Sequence, residues 1–156
     1  MVSTSINSIN LVSSKGDLMK YLIIMVLMLN ACGNGPLTSS EDAIYEQVAD
    51  FEKLYDADAA YISIDLVDSL PPSDKGKMVG LCTSSREIKL LKGFWDKQDE
   101  LGRKVLLFHE LGHCYFGRIH RDDKYPDGCP KSIMSTMLIS VSCFLQHRSE
   151  LIAELP

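Results

Sequence analysis

Three of the four histidines in this chain, His109, His113 and His120, fall in one short stretch, and Glu110 directly follows the first of them. Residues four apart on a helix stack on one face. The segment His109-Glu110-Leu111-Gly112-His113, which matches the pattern H-E-x-x-H, can therefore aim two ring nitrogens at one Zn2+ at about 2.0 to 2.1 Å. Glu110 lies one step round the helix, beside the coordination position that the protein ligands leave open. A carboxylate there can take a proton from a water whose pKa the metal lowers toward neutrality. These residue types at this spacing point to metal-assisted hydrolysis, with one Zn2+ per chain as cofactor and Glu110 as general base.

A third ligand is needed, and His120 is the first candidate. On an unbroken helix it would lie about 10 Å beyond His113, at 1.5 Å per residue, too far for one ion. The chain must turn back between them, and Gly117 is where it can, because glycine accepts the left-handed conformation that ends helices. Asp122 and Asp123 are fallback ligands from the loop that follows. His147 reads as a surface histidine. Cys114 lies with Leu107, Leu111 and Arg118 on the side of the helix opposite the histidines, so it reads as a core or disulfide cysteine and not a ligand. Tyr115 and Tyr125 are candidate donors to a reacting group, although tyrosines in small domains mostly pack.

The elements that must carry these residues are visible in the hydrophobic pattern. Ser39 and Ser40, followed by Glu41 and Asp42, open a helix whose apolar positions Ile44, Val48, Phe51 and Leu54 recur at helical spacing. Residues 60–67 alternate as a strand does, and Pro71-Pro72 ends the run. A second short strand is expected over residues 86–91, bounded upstream by Gly80 and by Thr83-Ser84-Ser85. The helix bearing the histidines is expected over 97–116. A loop rich in Asp, Pro and Gly follows to Pro130, and a final helix over 141–155.

The chain has 156 residues, 46% hydrophobic and 24% charged, which suits one compact domain at most. Its net charge of -5 leaves no broad basic surface, so nucleic acid is not an expected partner. Met19-Lys20 precedes nine apolar residues, from Tyr21 to Leu29, and then Asn30-Ala31-Cys32. That run is too short to span a bilayer and has the order of an export signal. Leu29-Asn30-Ala31-Cys32 resembles the lipobox of bacterial lipoproteins, in which cleavage leaves a lipid-modified cysteine as the first mature residue. The expected organisation is a signal over residues 1–31, with translation starting at Met1 or Met19, then a lipid-anchored tether over 32–40 and a folded domain over 41–156. Four cysteines remain for an oxidising compartment, Cys82, Cys114, Cys129 and Cys143, and spacing alone leaves all three pairings of two disulfides open.

The stretch from His109 to His120, read as HELGHCYFGRIH, resembles the motif of the metzincin clan of zinc metalloproteases, H-E-x-x-H-x-x-G-x-x-H. Ser132-Ile133-Met134-Ser135 resembles the Met-turn that follows it. The resemblance covers residues 80–156, where Gly80-Leu81-Cys82, Trp95, the histidine stretch, Ser-Ile-Met and Glu154-Leu155 also resemble a group of small bacterial lipoproteins with metallopeptidase motifs. One extra residue separates this chain from the clan pattern: Gly117 follows His113 by four positions instead of three, and His120 by seven instead of six. The resemblance implies an α+β fold: a small metzincin-like zinc-peptidase domain with an N-terminal helix, a short mixed sheet, an active-site helix, a Met-turn and a C-terminal helix. It implies that His109, His113 and His120 bind the metal, and that Met134 lies beneath it without ligating. It also makes the strand 86–91 the edge along which a substrate peptide pairs; otherwise that strand is an ordinary edge guarded by Arg86, Lys89 and Lys92. Gly33 after the lipidated Cys32 points to the outer membrane of the cell envelope. The expected disulfides are Cys82 with Cys114, tying that edge to the active-site helix, and Cys129 with Cys143 across the Met-turn region. Two other functions remain open: a non-catalytic zinc-binding envelope lipoprotein, and a gluzincin-like peptidase that takes Glu150 as its third ligand.

Overall fold

The computed structural model describes residues 39–72 and 77–156, so the export signal, Cys32 and most of the tether lie outside the described residues. Helix α1 (Ser40–Tyr55) starts where a reciprocal cap is available. The Ser39 hydroxyl accepts from the Asp42 N–H at 3.1 Å, and the Asp42 carboxylate accepts from the Ser39 N–H at 2.9 Å. Its buried face carries Ala43, Ile44, Gln47 and Phe51. Leu54, expected on that face, is 46% exposed, because Gln47 and Phe51 set the contact line and leave Leu54 to one side. Phe51 is fully buried and packs edge-on against Phe108 with ring centroids 5.4 Å apart, which joins α1 to the histidine-bearing helix.

Three strands follow: β1 (Ser63–Val67), β2 (Gly80–Cys82) and β3 (Glu87–Leu91). β1 starts later than its alternation suggests, since the Ile62 N–H bonds the Ala59 carbonyl at 2.9 Å in a turn. β2 is too short to show a period, and the sequence pattern did not mark it. The sheet order is β1-β3-β2, with β1 parallel and β2 antiparallel to β3. This corrects the expectation for residues 86–91. They form the central strand, paired on both sides, and the edges are β1 and β2. The strand opens at Glu87, because Arg86 takes φ 61° in the turn that joins it to β2.

A short helix α2 (Lys92–Trp95) leads into α3 (Glu100–Cys114). α3 starts three residues later than expected because the Asp99 side chain caps it, accepting from the Gly102 N–H at 2.8 Å. Buried residues run without a break from Lys104 to Gly112, so α3 is the central element of the domain. The expected last helix is two, α4 (Val141–Gln146) and α5 (Arg148–Glu154), broken at His147, whose backbone leaves helical geometry at φ -117°, ψ 23°. The described residues thus form an α+β fold of five helices and a three-stranded mixed sheet. None of these helices is long and apolar enough to cross a membrane.

Both expected disulfides are present. Cys82–Cys114 ties edge strand β2 to the last residue of α3, and Cys129–Cys143 ties the loop after His120 to α4. Each restricts the unfolded chain enough to contribute roughly 2 to 4 kcal/mol.

Gly112 is where α3 meets the rest of the core most closely. A Cβ there would run into Met134 Sδ and come within 2.9 Å of Leu155 Cδ1. Gly112→Ala is expected to destabilise the domain by about 1 to 3 kcal/mol through overpacking, read as a lower denaturant midpoint with unchanged slope; an unchanged midpoint would show that this contact yields.

Candidate metal centre

His109 and His113 project from the same face of α3, and the chain after α3 brings His120 to them. α3 ends at Cys114, so Arg118, expected on the far side of a continuing helix, lies beyond it. The last turn is loosened: the Tyr115 N–H makes an ordinary bond to the Leu111 carbonyl, but the Arg118 N–H reaches back to the Gly112 carbonyl at 3.0 Å. That wide closure spans residues 112–118. Gly117, at φ 67°, then reverses the chain in a conformation that side chains avoid. Past the reversal, the Arg121 N–H bonds the Met134 carbonyl at 2.8 Å, which docks the segment carrying His120 onto the turn at Ser132–Ser135.

The three Nε2 atoms form a triangle with every side 3.2 Å. Tetrahedral coordination with metal–nitrogen bonds of about 2.0 to 2.1 Å needs ligand nitrogens about 3.3 to 3.4 Å apart, so the triangle fits one ion. The proton positions make the same case. His109 Nδ1 donates to the Ile133 carbonyl at 2.8 Å, and His113 Nδ1 donates to the Arg118 carbonyl at 2.6 Å. Carbonyl oxygens only accept, so both Nδ1 atoms carry hydrogen and both neutral rings turn Nε2 lone pairs toward the same point. Burial holds the His109 ring down to about 4, against the Ile133 bond that would raise it, and burial also lowers His113. Two lone pairs at 3.2 Å cannot bond each other. A cation between them can satisfy both.

Glu110 is 4% exposed and lies along β2. Its carboxylate rests so close to Gly80 that any Cβ there would overlap it, and the Cys82 N–H bonds it from the same strand. Burial pushes its carboxyl up to about 8, with the Cys82 bond opposing. The pairs Val79–Leu91 and Thr83–Glu87 bond β2 to β3, so the alternate residues Gly80 and Cys82 turn their backbone groups outward, to the free edge facing α3. A cleft of about 600 Å³ runs over this edge and the triad. Gly80, Leu81, Cys82, Thr136, Met137 and Leu138 line it with the triad and Glu110, and Phe94 and Leu106 add apolar surface.

The other candidates are engaged elsewhere. The Asp122 carboxylate accepts from the Thr136 N–H at 2.7 Å and the Thr136 hydroxyl at 2.8 Å, and Asp123 pairs with Arg121 at 2.7 Å. Glu150 is exposed on α5 and lies outside the triad. Tyr115 stacks on Tyr61 and accepts from the Asp58 N–H, away from the cleft. Met134 is fully buried and packs under α3 at Gly112. His147 is not a plain surface histidine. It stacks on Tyr125 with centroids 3.8 Å apart and pairs with Asp127 at 2.7 Å. Asp127, Cys129 and His147 also bring donor atoms within 4.8 Å of one another, but the Cys129 sulfur is bonded to Cys143 and has no thiolate to offer. Sequence reasoning missed the groups that orient the site, the Ile133 and Arg118 carbonyls on His109 and His113 and the Cys82 N–H on Glu110. Only the contacts reveal them, because a backbone atom carries no residue-type signal.

No protein-family model matches the chain, and none of the curated proteins or solved structures compared with it matches either.

In metal-free protein the signs for Glu110 and His109 oppose each other. Glu110 is raised on folding, so its contribution is full below about pH 4.5 and is lost as pH rises through about 8. His109 is lowered, so its contribution is gained as pH rises from about 4 to 6.5. Between pH 6.5 and 8 only the Glu110 loss remains. The chelator-treated protein is therefore expected to lose more stability across that window than Glu110→Gln, by denaturant titration, and parallel curves would refute the raised carboxyl.

Proposed function

We propose that this chain is a zinc-dependent, metzincin-like peptidase held at the bacterial cell envelope by a lipid on Cys32. The observation that carries the reading is the triangle of three Nε2 atoms at 3.2 Å, open to a cleft with a buried glutamate beside it. A site that only braced a fold would have four protein ligands and no need of an open position. His109, His113 and His120 would hold Zn2+, and zinc when bound polarises a substrate carbonyl and lowers the pKa of water.

Glu110 supplies the proton traffic. Its carboxylate is held by the Cys82 N–H against Gly80, at the edge of the cleft, where it takes a proton from the attacking water and returns it to the leaving amine. The outward backbone groups of Gly80 make β2, in place of the expected strand 86–91, the edge on which a substrate peptide would pair antiparallel. Phe94, Leu106 and Leu138 line the same cleft and would receive an apolar side chain of the substrate. Met134, packed beneath Gly112, supports the floor without ligating. The two disulfides support an oxidising compartment, which agrees with the export signal read over residues 1–31.

The purified protein, supplied with zinc, is expected to bind one ion per chain and to cleave members of a complex peptide mixture, read by mass spectrometry. Glu110→Gln is expected to keep the zinc and to lose about 10²-fold or more of the cleavage rate. Full activity in that variant would overturn the mechanism. One zinc per chain with no cleavage of any peptide would favour the non-catalytic zinc-binding lipoprotein.

A further inference from the structure

Resting on that metal reading, we propose that Arg118 is a positioning residue: it couples ligand His113 to the C-terminal turn, so that residues 154–156 help set the affinity of a site they do not touch. Both halves of Arg118 are committed. Its carbonyl accepts from His113 Nδ1 at 2.6 Å, the bond that fixes the tautomer and ring direction of that ligand. Its guanidinium donates through Nη1 to the carbonyls of Glu154 at 2.7 Å, Leu155 at 2.7 Å and Pro156 at 3.0 Å, and through Nη2 to Glu154 Oε1 at 2.6 Å.

The surroundings leave the orientation of this peptide to few other groups. Gly117 precedes it, is exposed, and has nothing within 4 Å of where a Cβ would stand, while Ile119 follows with 82% of its surface exposed. Among residues 117–119 only Arg118 has its side chain anchored in the fold. The Arg118 N–H bond to the Gly112 carbonyl fixes one end of the peptide preceding it, but the carbonyl offered to His113 belongs to the next peptide. The partner is suited to the task. A planar guanidinium spans several carbonyls at a helix C-terminus, where the last carbonyls lack helical partners and the dipole favours positive charge. Glu154 is partly buried, receives Arg121 Nη1 at 3.5 Å as well, and has a second oxygen buried without a partner, so it gains most of its compensation from Arg118.

The test is zinc affinity of the full chain by competition with a chelator, together with the visible spectrum of the cobalt-substituted protein, which reports ligand geometry. Arg118→Ala keeps the carbonyl but frees the peptide, and is expected to weaken zinc binding about 10- to 100-fold and to change the cobalt spectrum. Arg118→Lys, with one charge and no planar fork, is expected to fall between Ala and wild type. Ser39→Ala, which removes the distant cap of α1, controls for stability alone and is expected to leave affinity and spectrum unchanged. If wild type binds no zinc, the metal reading itself fails. If wild type binds and folded Arg118→Ala binds equally with the same spectrum, the coupling is wrong while the metal reading stands. Should Arg118→Ala not fold, Arg118→Lys decides: wild-type affinity and spectrum overturn the proposal, and weaker binding with a changed spectrum supports it.

Discussion

A helix buried along most of its length cannot hold a histidine and a glutamate side by side unless other segments bring partners to them. That constraint organises this molecule. His109 and Glu110 sit among Leu106, Leu107, Phe108 and Leu111, all nearly or fully buried, and each polar atom there would cost on the order of 1 to 3 kcal/mol if left alone. The partners come from three directions. Ile133 gives His109 a carbonyl from the turn below, Cys82 gives Glu110 an N–H from the edge strand, and one turn on Arg118 gives the half-buried His113 a carbonyl from the reversed chain after α3. Strand β2, the turn at Ser132–Ser135 and the segment 117–121 can be understood as the means of satisfying one helix.

The side chains of the site were legible in the sequence, and their supports were not. His109, Glu110 and His113 announce themselves because helical periodicity turns a spacing of four into a shared face, and Gly117 marks the reversal that brings His120 back. The pattern is blind to β2, since three residues cannot display a period, and without β2 nothing in the sequence shows that residues 87–91 are paired on both sides. It is also blind to the break at His147. The residues from Val141 onward keep helical composition throughout, and what interrupts the helix is a tertiary arrangement, the stack on Tyr125 with the pair to Asp127. Leu54 lies off the buried face of α1 for a similar reason: the aromatic cluster around Phe51, built partly from Tyr115 and Phe116, decides which side of α1 faces inward.

The end of α3 shows how a loose turn can serve a closely set site. The Arg118 N–H reaches to the Gly112 carbonyl across a wide loop. The step of three from Gly117 to His120 is short, and it is this step that delivers His120. The slack lies in the turn and not in the segment that carries the ligand, a distribution expected if the positions of the ring nitrogens matter more than the exact end of the helix.

The Cys82–Cys114 bond joins the strand that holds Glu110 to the end of the helix that carries it. Before that bond forms, the N–H donor and the carboxylate belong to segments linked only through the intervening chain, and their alignment depends on sheet and helix docking correctly without a covalent tie. With the thiols reduced, only the docking of sheet on helix would hold the strand against the carboxylate; closing the bond narrows the positions that β2 and the end of α3 can take relative to each other, and so narrows the play of Glu110 beside the histidines.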